Sequence, residues 1–158
     1  MTPGDTISVA PLADHPDVLP VLQRWFEAEW PSYYGAGGRA NAQADLRALA
    51  NRGSLPVGVA AFRRGIVCGV AALKAESIAS HRHLSPWVAA GLVEPAARGL
   101  GIGGRLLTAL EQEARQLGFR QIYCGTGTAE SLLERSHWQL LERIIHEGES
   151  LGIYCKAL

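Results

Sequence analysis

The sequence predicts one domain, residues 1–158, of mixed α/β class, and three observations carry that expectation. A chain of this length that is 47% hydrophobic buries roughly 70% of the surface its unfolded form exposes. Strand-like runs alternate with stretches of helical spacing in the order β-α-α-β-β-β-α-β-α-β-β. No internal repeat, linker or low-complexity segment interrupts that order.

The elements follow from local chemistry. Residues 5–10 read as a short first strand. Asp14 or Asp17 caps the helix that follows, with Pro16 and Pro20 in its first turn. Val18, Leu19, Leu22, Trp25, Phe26 and Trp30 keep helical spacing, and Pro31 ends the run. Residues 33–38, rich in glycine, read as a loop carrying Tyr33 and Tyr34. Asn41 caps a second helix through Leu46 and Leu49. Residues 55–62 and 66–75 are strands joined by the hairpin signal Arg63-Arg64-Gly65. Residues 77–86 are polar and irregular, and 87–93 form a buried strand. A helix over 102–117 presents Ile102, Leu106, Leu110, Ala114 and Leu117 on one face, with Gly118 as its stop. A strand at 121–124, a short helix at 129–136, and an antiparallel pair at 138–145 and 151–157 close the chain.

Charge excludes some functions. Fifteen basic side chains balance fifteen acidic ones, which argues against a nucleic-acid-coating surface. No stretch approaches the roughly 20 apolar residues of a membrane helix, so no membrane partner is expected. Cys68, Cys124 and Cys155 are odd in number and lie in apolar runs without metal-ligand spacing. Buried thiols in a reducing cytoplasm are the expectation, and the N-terminus reads as no signal peptide. His81 and His83 lack a third ligand nearby, so no metal is expected.

The chemistry concentrates where the strand at 87–93 meets the helix at 102. Gly99, Gly101, Gly103 and Gly104 fall within six residues. Such a junction aims unpaired backbone N–H groups and a positive dipole end at one point, with Arg98 and Arg105 adding charge, and phosphate is its natural guest. The run also matches the dinucleotide pattern GxGxxG. That reading needs an acidic residue about 20 positions on, at the tip of the next strand. Residues 118–128 contain none, and residues 94–98 separate strand from glycine too widely for the tight turn.

Arg98-x-x-Gly101-x-Gly103 closely resembles the acyl-CoA pyrophosphate loop of the GNAT superfamily of N-acetyltransferases, and the element order extends the resemblance over nearly the whole chain. Leu84-Ser85-Pro86-Trp87, His15-Pro16 and Glu29-Trp30-Pro31 resemble a bacterial subgroup of it. The resemblance implies a central mixed, mostly antiparallel sheet, splayed at the acyl-CoA site and flanked by about four helices. It implies acetyl-CoA as co-substrate, with backbone groups of Leu92 and Val93 pairing with the pantetheine arm. Backbone N–H groups of Arg98, Gly99, Leu100, Gly101, Ile102, Gly103 and Gly104 cradle the pyrophosphate. The first helix and the Tyr33-Tyr34 loop form one wall of the acceptor pocket.

Acetyl transfer to an amine needs a group that takes the ammonium proton, and a donor for the carbonyl oxygen as it turns negative. Glu76 and the His81/His83 pair are the candidates for the base, with Glu76 and His83 singled out as catalytic. Related enzymes often carry a tyrosine acid where this chain has Leu133, which donates no proton. Ser131, Tyr123 and Cys124 lie near in sequence. The expected function is direct transfer of an acetyl group from acetyl-CoA to a primary amine on a small molecule or peptide. The alternative is a non-catalytic acyl-CoA-binding sensor. The terminal hairpin offers a surface for a homodimer.

Overall fold

The computed structural model describes residues 6–158, so Asp5, the first residue of the expected opening strand, lies outside the described residues. Seven strands, β1 (Ile7–Pro11), β2 (Val57–Arg63), β3 (Ile66–Lys74), β4 (Trp87–Val93), β5 (Gln121–Thr126), β6 (Gln139–His146) and β7 (Glu149–Ala157), form one sheet. Their spatial order is β1-β2-β3-β4-β5-β7-β6. Every neighbouring pair is antiparallel except β4 with β5.

Five α-helices flank the sheet: α1 (Leu19–Glu29), α2 (Pro31–Tyr34), α3 (Ala42–Leu49), α4 (Ile102–Gln116) and α5 (Glu130–Arg135). The helix that the sequence reading lacks is α2, which takes in Tyr33 and Tyr34 of the expected loop. Trp30 leaves helical geometry at φ −125°, ψ 62°, and Pro31 then restarts a single turn at its first position. A proline there loses only an N–H that the first turn leaves unpaired. The caps divide in the same way. Asn41 accepts from the Ala44 N–H at 2.9 Å, as its position before α3 predicts. Neither Asp14 nor Asp17 caps α1. Two 3-10 turns, Leu12–Asp14 and Pro16–Val18, lead into it without a side-chain cap. Gly118 stops α4 as expected: its N–H reaches the Arg115 carbonyl and that of Phe119 the Ala114 carbonyl, the paired closure of a Schellman turn.

Both faces of the sheet are covered, so β2 reads as a continuous apolar run rather than an alternating one. Val57, Val59 and Ala61 point toward α4, where Leu106, Leu107 and Leu110 complete one core. Ala60 and Phe62 point the other way, into a second core with Leu22 and Phe26 of α1 and Leu46 of α3. The strand period of two thus divides one strand between two cores.

Candidate functional site

The parallel pair β4–β5 is held by two residue pairs only, Trp87 with Tyr123 and Val88 with Cys124. Beyond Val88 the strands part. Trp87 anchors the joint: it is fully buried, and its indole N–H donates to the Leu84 carbonyl at 2.8 Å. β4 also carries a bulge just past the joint. Ala72 of β3 faces Ala89 and Val70 faces Leu92, leaving Ala71 opposite both Ala90 and Gly91. Ala90 adopts φ +53°, a left-handed geometry that a non-glycine residue rarely takes. The backbone of residues 89–93, including Leu92 and Val93, therefore has no strand on its β5 side. This is the splay that the resemblance implied.

The glycine loop closes one end of that gap. Glu94 returns its N–H to the Cys68 carbonyl, and a 3-10 turn, Pro95–Ala97, leads to Arg98. Gly99 and Gly101 stand at φ +81° and +78°, and a Cβ on either would meet no atom within 4 Å. Both facts leave the loop backbone open to close approach. Gly101 is the N-cap of α4 and provides no side-chain partner, so the first-turn N–H groups of Ile102, Gly103 and Gly104 lack a side-chain cap. Leu100 is exposed on the loop and Ile102 is buried beneath it. The two arginines are partly engaged. Arg98 Nε donates to the Val93 carbonyl at 3.1 Å, and Arg105 reaches across to the Ile7 carbonyl of β1 at 2.8 Å. Their charge adds to the loop while their donors brace the strands around it.

A cleft of about 1030 Å³ borders β4 at Ala89 and Ala90. Trp30, Tyr33 and Tyr34 form one wall, as expected of the segment after the first helix. Ala89 and Ala90 of the bulge form its floor, and the β6–β7 turn with His146, Glu147 and Glu149 forms the opposite wall. Glu76 lines this cleft, with its carboxylate 3.8 Å from Arg82 Nε. His83 does not line it; its ring stacks on His81 at 5.8 Å. His81 is committed elsewhere, to Ser80 and to Glu142 of β6. Trp25, Phe26 and Trp30 pack in the second core, with Trp30 also reaching the cleft.

Leu133 is 1% exposed and belongs to the α4-side core. Tyr123 stands at the strand joint, where burial first and Cys155 second push its phenol above the ordinary 10. Burial pushes the Cys124 thiol up to about 12, and none of the three cysteines is in a disulfide. Among the described residues no cluster of three His, Cys, Asp or Glu side chains is placed to hold a metal. No helix among them is long and apolar enough to cross a membrane. Sequence reasoning missed Arg39, Lys74, Glu147 and Glu149 as parts of the cleft. They come from segments far apart in the chain, and no local pattern marks them.

Comparison with known proteins gives consistent results. The model of the acetyltransferase (GNAT) family matches residues 21–136. No curated protein matches the chain. Among solved structures, a ribosomal-protein-alanine N-acetyltransferase from Brucella melitensis is 26% identical, with a TM-score of 0.67 over 97% of this chain and 99% of that one. An aminoglycoside 6'-N-acetyltransferase complexed with coenzyme A superposes with a TM-score of 0.74 at 15% identity, covering 96% of both chains. An acetyltransferase of the GNAT family from Streptococcus pneumoniae gives a TM-score of 0.70 at 15% identity, over 97% of this chain and 100% of that one. The last two likenesses are of fold.

Proposed function

Since the chain belongs to the acetyltransferase (GNAT) family, we propose that it transfers the acetyl group of acetyl-CoA directly to a primary amine on a small molecule or peptide. The observation that carries this reading is the parting of β4 from β5 beside an uncapped glycine loop. A pantetheine arm has amides at strand-like spacing, so Leu92 and Val93 would pair with it as with a missing strand. The N–H groups from Arg98 through Gly99, Leu100, Gly101, Ile102, Gly103 and Gly104 would hold the pyrophosphate. In the subgroup proposal, Leu84-Ser85-Pro86-Trp87 anchors the strand joint that opens this site, supported by the Tyr123 N–H donating to the Pro86 carbonyl.

The chemistry is a single displacement. The amine nitrogen forms a bond to the thioester carbon, the C–S bond breaks, and CoA leaves as thiolate. Glu76, the candidate base that lines the cleft, would take the ammonium proton directly or through water. His83, stacked on His81, is the less favoured candidate. A β4 backbone N–H would steady the negative oxygen. Leu133 supplies no acid, so the thiolate would leave unassisted or take its proton from solvent. No acetylated residue is required. A reducing cytoplasm is the proposed compartment, a reading that the odd number and wide spacing of Cys68, Cys124 and Cys155 in the sequence support. The proposed homodimer would form along the outer edge of β6, the last strand of the sheet, and sedimentation would test it.

Thiol release from acetyl-CoA, measured across peptides, polyamines and aminoglycosides, tests the reading. Turnover with at least one amine is expected. Binding of CoA with no turnover on any amine would instead favour a sensor. Gly101→Glu adds bulk and negative charge where the cradle is open; its Cβ meets no atom within 4 Å, and the left-handed φ of +78° costs about 1–2 kcal/mol of stability. The fold should survive in circular dichroism while CoA affinity falls by at least about a hundredfold. Normal CoA affinity would overturn the loop assignment.

A further inference from the structure

Arg39 occupies the acceptor cleft in an informative way. Its guanidinium carbon lies 5.3 Å from the centroid of the Tyr33 ring, and Nη2 lies 3.6 Å from Glu147 Oε1 in the β6–β7 turn. An aromatic face and a carboxylate on either side of a guanidinium make a cation site. The aromatic face is held firmly. Tyr33 meets Tyr34 edge-on at 4.7 Å, Tyr34 stacks on Phe26 at 5.6 Å, and the Tyr34 hydroxyl donates to Asp45 at 2.7 Å.

The occupant is held loosely. The Arg39 side chain is 73% exposed and that of Glu147 67%. An ion pair so open to water and salt contributes little and is readily exchanged. The cleft wall carries the carboxylates of Glu29, Glu76, Glu147 and Glu149 against Arg39 and Lys74, and Arg82 stands 3.8 Å from Glu76; with Arg39 swung out, Glu147 loses the guanidinium that faces it. A second cation arriving with the acceptor restores the balance that Arg39 supplied.

We propose that the acceptor carries a second, non-reacting cationic group, and that this group binds between Tyr33 and Glu147 in the place of Arg39. The proposal rests on the acetyl-transfer reading and names its substrate class: diamines and other amines that bear a further ammonium or guanidinium. Arg39 then acts as an internal stand-in that keeps the site filled until such an acceptor displaces it.

The test compares α,ω-diamines with n-alkylamines of equal length, read as the ratio of their kcat/KM values. Diamines should be preferred by about tenfold at low salt, and the preference should shrink as salt rises. Arg39→Ala should raise the ratio by about three- to fivefold by removing the competitor, and Arg39→Lys should leave it near the wild-type value. Glu147→Gln and Tyr33→Leu should each lower it. A ratio near one that no substitution moves overturns the proposal. Calorimetric titration of the CoA-loaded protein with diamine separates the two readings. If no amine is acetylated yet diamine binds, and binds more tightly to Arg39→Ala, the cation site stands and the acetyl-transfer reading fails. If acetylation proceeds and diamine and monoamine bind alike, the cation site fails alone.

Discussion

Glu130 at the start of α5 accepts two hydrogen bonds from Arg143 of β6, at 2.8 and 3.1 Å. Those bonds hold its carboxyl below the ordinary 4.5, against a smaller opposing effect of burial. The unfolded chain therefore takes up this proton more readily than the folded one. The pair's contribution is complete above the ordinary value and is lost as pH falls through the lowered one. Arg143→Met should be modestly less stable than wild type at neutral pH, with the gap in urea midpoint closing below about pH 4.5. A gap that persists in acid would mean that the loss is one of packing. Single residues of this kind differ in how far a sequence discloses them. Asn41 and Gly118 obey rules that span no more than six residues, and both do what those rules predict. Glu130 and Arg143 are thirteen residues apart and meet only because β6 returns past α5.

At the scale of an element, the glycine run shows one local signal serving two purposes. Gly99 and Gly101 provide left-handed turns above open space. Gly103, already inside α4, faces α5, and a Cβ there would lie 3.2 Å from Leu132 Cδ2. Gly104 is more relaxed, with Leu132 Cδ1 at 3.9 Å. Gly104→Ala should raise stability by up to about 1 kcal/mol, since alanine is the better helix former and its methyl meets only ordinary contact. Gly103→Val should lower it by about 1–3 kcal/mol through overpacking, with Leu132→Ala recovering part of the loss. Denaturant midpoints of the variants check both signs. The glycine spacing was readable as a phosphate loop, but the contact with Leu132 was not, because it depends on where α5 lies. The β4 bulge was equally hidden: nothing in Ala89-Ala90-Gly91 distinguishes a bulged strand from a flat one. A single helical turn at Pro31–Tyr34 was hidden by the loop-forming glycines that follow it.

Across the whole molecule, the element order and the covered sheet were legible because strand and helix periodicity repeat over many residues. The tie between distant parts was not. Glu111 of α4 is 5% exposed and accepts from the Trp138 indole at 3.2 Å and from Lys156 Nζ of β7 at 2.9 Å. Lys156 also donates to the Ser136 carbonyl at 3.0 Å. One buried carboxylate thus joins the central helix, the turn after α5 and the last strand. Removing one member of a buried pair leaves the other charge stranded. Lys156→Met should cost about 2–4 kcal/mol, reduced somewhat by the partial exposure of the lysine, and adding Glu111→Gln, which removes the stranded charge and keeps an acceptor for the Trp138 indole, should restore much of that. Equal losses in the single and double variants, measured by thermal unfolding, would contradict this account.

The parting of β4 from β5 has a further consequence for how such a protein tolerates change. An unpaired strand edge recognises a guest by the spacing of its amides and carbonyls, which every residue except proline presents alike. The side chains at 89–93 can vary within what the two cores and the bulge permit, while the row of donors and acceptors that the proposed pantetheine pairing would use stays the same. Substitutions that respect the two cores, the left-handed Ala90 and the cleft floor should therefore leave this row intact unless they introduce proline. A lineage can drift in sequence here while the backbone edge itself is retained.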